Sequence, residues 1–305
     1  MNFHPLTSHP LAFVNHPKSL SFPVPAPRLA LLVCAFLASL APLRAEKVDA
    51  ELLLLVDASK SALDRGEFRS LMNGYATAMT SSQVLDSIQI GAIGRIAVSL
   101  SFFGDAPGRT RGVSWMSIGN LAEAEAFATQ LRSLAEPSRS NIRLQDAIGP
   151  ASLLFGDETG GRSNGFESTV QIIEIAASSR PEGSPEANRA ATDATIAAGV
   201  DWIGATLLGG NSSKAQEFYS RHVIGGDVGG LTPEVRQSSF GIGLHGTLAD
   251  SISRGMIGTA AASAVPNPRP PCSSFPPWRS SWASAGDLEP PPFPLPPTLT
   301  PPSRK

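Results

Sequence analysis

The stretch ELLLLVD, residues 51–57, sets four leucines and a valine between two acids. An apolar run this short, ending on a carboxylate, is the pattern of a β-strand buried on both faces whose polar end opens into a loop. Three further runs share that character: RIAVSLSFFG (95–104), VQIIEIA (170–176) and DWIGATLLG (201–209), with VSWMSI (113–118) as a shorter strand. Between them lie stretches of helical composition. One spans 62–82, a second is NLAEAEAFATQLRSLA with Asn120 as its cap, a third covers 142–155, and PEANRAATDATIAAG ends at Gly199. Strands alternating with helices predict an α/β fold, a doubly wound and mostly parallel central sheet with helices on both faces. Ligands of such sheets bind beyond the carboxyl ends of the strands, which directs attention to the loop after Asp57.

Only the middle of the 305-residue chain is composed like a packed protein. Residues 28–41, RLALLVCAFLASLA, form an apolar stretch shorter than the roughly 20 residues of a bilayer span, and polarity returns at EKVDAE. Residues 1–45 therefore read as a signal peptide cleaved near Ala45, or as an uncleaved anchor, which is the one route to a membrane. Residues 46–254 read as the domain, and 255–305 as a proline-rich tail without a periodic apolar face, expected to be disordered. Export to the periplasm or the extracellular space follows from the first of these segments.

The charge balance is close to even, 24 basic against 26 acidic side chains, so no basic excess marks a nucleic-acid partner. Cys34 and Cys272 both fall outside the domain, which leaves no disulfide framework and no cysteine zinc site. His222 and His245 are the two histidines of the domain and read as surface or satisfied core residues. H-E-x-x-H and the P-loop spacing do not occur, and GGNSSK lacks that spacing. A non-enzymatic protein is expected, with an unrecognised hydrolase using Glu174 as the competing class. Glu174 inside an apolar strand reads as a buried acid of raised pKa or as a strand-end carboxylate bonded to backbone. VIGGDVGG (223–230) is either an anion cradle or a glycine-rich turn into an edge strand, and Trp115 and Trp202 are expected to pack against the core or fill a groove.

The loop after the first strand reads DASKS. Asp57, Ser59 and Ser61 supply a carboxylate and two hydroxyls, oxygen ligands suited to a hard cation, chiefly Mg²⁺. The same serines could instead cap the following helix. Lys60 between them is expected to face solvent.

LLLLVDASKS (52–61), following an export signal, resembles the metal-ion-dependent adhesion site of von Willebrand factor type A domains. SRSNIRLQDAI (138–148) resembles the loop in which that family places a threonine, with Ser140 at its position. EFRSLMNGYATAM (67–79), VSWMSIGNLAEAEAFA (113–128), AGVDWIGATLLG (198–209) and FYSRHVIGG (218–226) narrow the resemblance to a bacterial family of secreted von Willebrand A-like proteins, a domain of unknown function. The resemblance implies a metal held by Asp57, Ser59, Ser61 and Ser140, with an open coordination position that an acidic side chain of a protein partner fills. It also implies an aspartate after VQIIEIA, where this chain has Ser178. At an effective dielectric of 20, a unit charge pair at 4 Å is worth about 4 kcal/mol, so that loss weakens the metal. A scaffold of the same fold with a non-functional metal site is the alternative.

Overall fold

A computed structural model of the chain describes residues 44–58, 63–103, 112–135, 143–177, 183–210, 212–241 and 243–264. Two units are distinguished, Met1–Ala45 and Glu46–Lys305, and of the first only Arg44 and Ala45 are described. The N-terminal signal or anchor and residues 265–305 of the expected tail thus lie outside the described residues.

The apolar run that starts the domain is a strand. After a two-residue strand β1 (Glu46–Lys47), β2 covers Ala50–Asp57, every residue of it buried. It is followed by β3 (Ile96–Phe103), β4 (Val113–Ile118), β5 (Phe166–Glu167), β6 (Gln171–Ala177), β7 (Trp202–Leu208), β8 (Gly225–Gly226) and β9 (Val235–Ser238). The main sheet runs β4-β3-β2-β6-β7, with β8 and β9 both pairing to the outer edge of β7. β2, β3, β6, β7 and β9 are parallel, while β4 and β8 are antiparallel edge pieces. β1 and β5 pair with each other in a separate two-stranded ribbon.

β2 is flanked by β3 on one side and β6 on the other, so the chain winds outward first one way and then the other from this strand. That reversal is the switch point of a doubly wound sheet, and it explains why β2 carries no polar residue between Glu51 and Asp57: both of its faces are covered. Leu52, Leu54 and Val56 point to one layer and Leu53 and Leu55 to the other.

The first layer contains α1 (Arg65–Met79), α2 (Ser82–Gln89), α3 (Leu121–Ser133) and α7 (Leu244–Ala264). The second contains α4 (Leu144–Ser152), continued by a 3₁₀ segment (Leu153–Thr159), then α5 (Pro185–Ala197) and α6 (Ser213–His222). Local chemistry sets their ends. Asn120 caps α3 by accepting from the Glu123 N–H. Gly199, with φ of 117°, ends the helical path after α5 in a conformation other residues rarely adopt.

Three boundaries depart from the sequence reading. The helix expected over 62–82 is α1, which ends at Met79, and a further helix follows it, α2, because Ser81 leaves the helical path and its hydroxyl caps α2 at the Val84 N–H. The helix expected over 142–155 tightens into the 3₁₀ segment after Ser152. The domain expected to stop at 254 continues through α7 to Ala264, since Met256 and Thr259 are buried against the rest of the first layer.

Candidate functional site

Asp57 is the last residue of β2 and pairs in register with Phe103, the last residue of β3. It is buried and lies on the face that carries α4, α5 and α6. Tyr219 of α6 is fully buried on this face, and its hydroxyl is held well above the usual tyrosine range by burial and then by the charge of Asp57. α5 and α6 are the elements that follow the carboxyl ends of β6 and β7 in the chain, which places their N-termini toward the end of the sheet where Asp57 lies. Helix N-termini carry partial positive charge, which favours a carboxylate there.

Of the residues read as a metal set, Asp57 is the one that is placed. Ser59, Ser61 and Ser140 lie outside the described residues, as do Lys60 and Ser178. Ser59 and Ser61 were also candidate helix caps, but α1 is capped by Asp64. Its carboxylate accepts from the Glu67 N–H at 2.8 Å while the Glu67 side chain accepts from the Asp64 N–H at 2.8 Å. Among the described residues no group of three or more His, Cys, Asp or Glu side chains converges. The ligand placed at the end of β2 is thus one carboxylate, an oxygen donor of the kind a hard cation takes.

Two glutamates among the described residues are buried. Glu174 is not at a strand end but in the middle of β6, and its partners are side chains: the Trp202 indole N–H donates at 2.9 Å and the Ser251 hydroxyl at 2.8 Å. Burial pushes its carboxyl up to about 7, opposed by these two bonds and by Arg236. Trp202 is accordingly a core residue, and the groove reading does not apply to it. Glu51, at the other end of β2 from Asp57, accepts from Asn164 Nδ2 and from the Ser168 hydroxyl. Burial, with the charge of Glu158 adding, moves it up to about 7 as well. An acid ahead of four leucines is the sequence signal for Glu51, and it was not read as a site.

The remaining candidates resolve into structure. Trp115 donates to the Leu154 carbonyl and its ring packs on Phe155. His222 stacks beside Phe218 at the end of α6, and His245 is exposed on α7. Within VIGGDVGG, Gly225 and Gly226 pair with β7, and Val228 bridges to Leu231 in a turn. This is the edge-turn reading. Among the described residues no helix is long and apolar enough to cross a membrane.

No curated protein matches the chain. In structure it is similar to proximal thread matrix protein 1 from the mussel byssus, at 13% identity and a TM-score of 0.42, covering 72% of this chain and 49% of that one. A second crystal structure of that protein, with a zinc-occupied MIDAS motif, gives 11% identity and 0.41 over 71% and 49%. The pilus adhesin SpaC from Lactobacillus rhamnosus GG gives 13% and 0.40 over 71% and 30%. The chain therefore spans less than half the length of these proteins. A family model, the protein of unknown function DUF1194, matches residues 47–241, from β1 through β9. With that match covering most of the domain and the strand order winding both ways from β2, the chain belongs to the DUF1194 family and has a von Willebrand A-like fold.

Proposed function

We propose that this protein is an exported, non-enzymatic binding module that recognises a protein partner through the loops at the carboxyl end of the sheet. Asp57, Ser59, Ser61 and Ser140 would hold Mg²⁺ there. The observation that carries this reading is the position of Asp57, a buried carboxylate at the end of the strand from which the sheet winds both ways. When bound, the ion supplies an electrophilic coordination position for a partner's Asp or Glu. The chain's own part is to hold the ion through one carboxylate and neutral hydroxyls, which leaves more of the ion's charge for the partner. In this reading residues 1–45 direct export, by cleavage or as an anchor, and the proline-rich tail follows α7.

The test is a thermal melt with and without millimolar Mg²⁺, since a ligand bound by the native state alone raises its stability. The reading predicts a rise that Asp57→Ala abolishes, together with partner binding that a chelator weakens. A second reading, a scaffold with a non-functional metal site, is favoured by Ser178 standing where an aspartate is expected. It predicts no Mg²⁺ shift and partner binding indifferent to chelation.

A further inference from the structure

The family match ends at residue 241, and α7 lies beyond it. This helix has a narrow apolar stripe: Leu244, Leu248, Ile252 and Met256 recur at every fourth position. The rest of its buried face is small or polar, with Ser251, Ser253, Gly255, Gly258 and Thr259. Close approach replaces side-chain bulk, since a Cβ at Gly258 would lie 2.7 Å from the Val228 carbonyl. Against so lean a face, polar contacts with the body of the domain carry more of the docking.

The central one is the bond from Ser251 to Glu174. The carboxyl lies beneath α7 with both oxygens engaged, one by Trp202 of β7 and the other by Ser251. The groups facing it from the surrounding elements offer little compensation for a negative charge. α1 presents Tyr75, itself buried and held above its usual range by burial and by Glu174. β2 presents Leu54, its register partner, and β7 presents Trp202 and Gly204. β9 presents Arg236, which also pairs at 3.6 Å with Asp250 on the outer side of α7. α2 meets α7 through Gln83, which donates to Asp250 and accepts from Ser253.

We propose that Glu174 and Ser251 form a proton-operated latch on α7: the protonated carboxyl holds the helix against the sheet, and the opened helix lets that carboxyl shed its proton to water. A neutral carboxyl keeps both neighbours without a buried charge, its carbonyl oxygen accepting from Trp202 and its hydroxyl able to donate back to Ser251 Oγ, whereas the two donated bonds only partly offset the burial of an ionised one. α7 carries Ser251 on a helix whose lifting breaks no strand pairing, whereas β2, β6, β7 and β9 are held by theirs.

The test is hydrogen exchange on the full chain at pH 5 and pH 8, corrected for the intrinsic pH dependence of exchange. It compares the buried amides of α7 around 248–256 with those of β2. A carboxyl near 7 when closed and near 4.5 when open makes opening on the order of fiftyfold more frequent at pH 8 than at pH 5, with the rise levelling off above about 7. Glu174→Gln, which keeps an acceptor and a donor without titrating, is expected to hold α7 closed at both pH values. α7 exchange indifferent to pH would overturn the proposal, as would a rise shared equally with β2 or one retained in Glu174→Gln. Should that variant fail to fold, the indole N–H resonance of Trp202 in the unaltered chain decides: a titration with a midpoint near 7 upholds the latch, and a flat profile removes it.

Discussion

Gly204 of β7 lies directly across from Glu174 of β6, and the Glu174 carboxyl occupies the space where a side chain of residue 204 would begin. A Cβ at that position would be 2.5 Å from Glu174 Oε1. The glycine is therefore the reason an acid fits between two central strands. Gly204→Ala is expected to destabilise the protein by about 1–3 kcal/mol, as overpacking of a filled core does. Thermal melts should show a loss of roughly 3–10 °C for a domain of this size.

Glu51 and Glu174 give stability a pH dependence of definite sign. Both carboxyls are raised in the folded protein to about 7, mainly by burial. The unfolded chain therefore releases protons that the folded chain keeps, and stability falls as pH rises. The contribution is fully present below about 4.5 and has been lost once pH passes about 7. It is worth on the order of 3 kcal/mol for each group. Melting temperatures measured at pH 5 and pH 8 should differ by roughly ten degrees, the lower value at pH 8. Glu51→Gln is expected to remove part of that difference, leaving the share of Glu174.

Asp49 closes the loop ahead of β3. Its carboxylate accepts from the backbone N–H groups of Ile93 at 2.9 Å, Gly94 at 2.7 Å and Arg95 at 3.2 Å. Asp49→Ala strands three donors in one turn and is expected to cost about 2–4 kcal/mol. Asp49→Asn, with one acceptor oxygen left, should recover part of the loss in chemical denaturation.

The reciprocal cap of α1 offers a more local test. Removing the carboxylate in Asp64→Ala leaves the Glu67 N–H without its acceptor. The expected cost is about 1 kcal/mol, with Asp64→Ser or Asp64→Asn close to the unaltered protein in a denaturant titration.

Where the sequence was legible, a short-range rule acted. ELLLLVD could be read as a doubly covered strand because alternation of polar and apolar residues is absent from it, and every residue of β2 is buried. Asn120 and Gly199 could be read as the ends of helices because capping and a left-handed turn are decided by one or two residues. The placement of Asp57 at the end of the central strand follows from the same run.

The reading faltered where the deciding partner is far away in the chain. Thr80 and Ser81 break an otherwise continuous helical stretch, and only the docking of α2 beside α7 gives the break its use. α7 carries only a narrow apolar stripe, and the rest of its buried face is mostly serine, glycine and threonine. Its contacts are to Glu174, Gln83 and Val228, 77, 170 and 30 positions away, so no local window reveals them.

The amino-acid sequence by itself determined the five main strands β2, β3, β4, β6 and β7, the helices α1, α3, α4 and α5 that alternate with them, and the sheet end to which Asp57 belongs, because burial pattern and capping are local properties of the chain. The tertiary structure alone decided that Glu174 is a side-chain-bonded interior acid, that Gly204 makes room for it, and that the domain includes α7. Each of these depends on what two distant segments place in the same small volume, and the energy of a buried polar group is set by that volume and not by its neighbours in sequence.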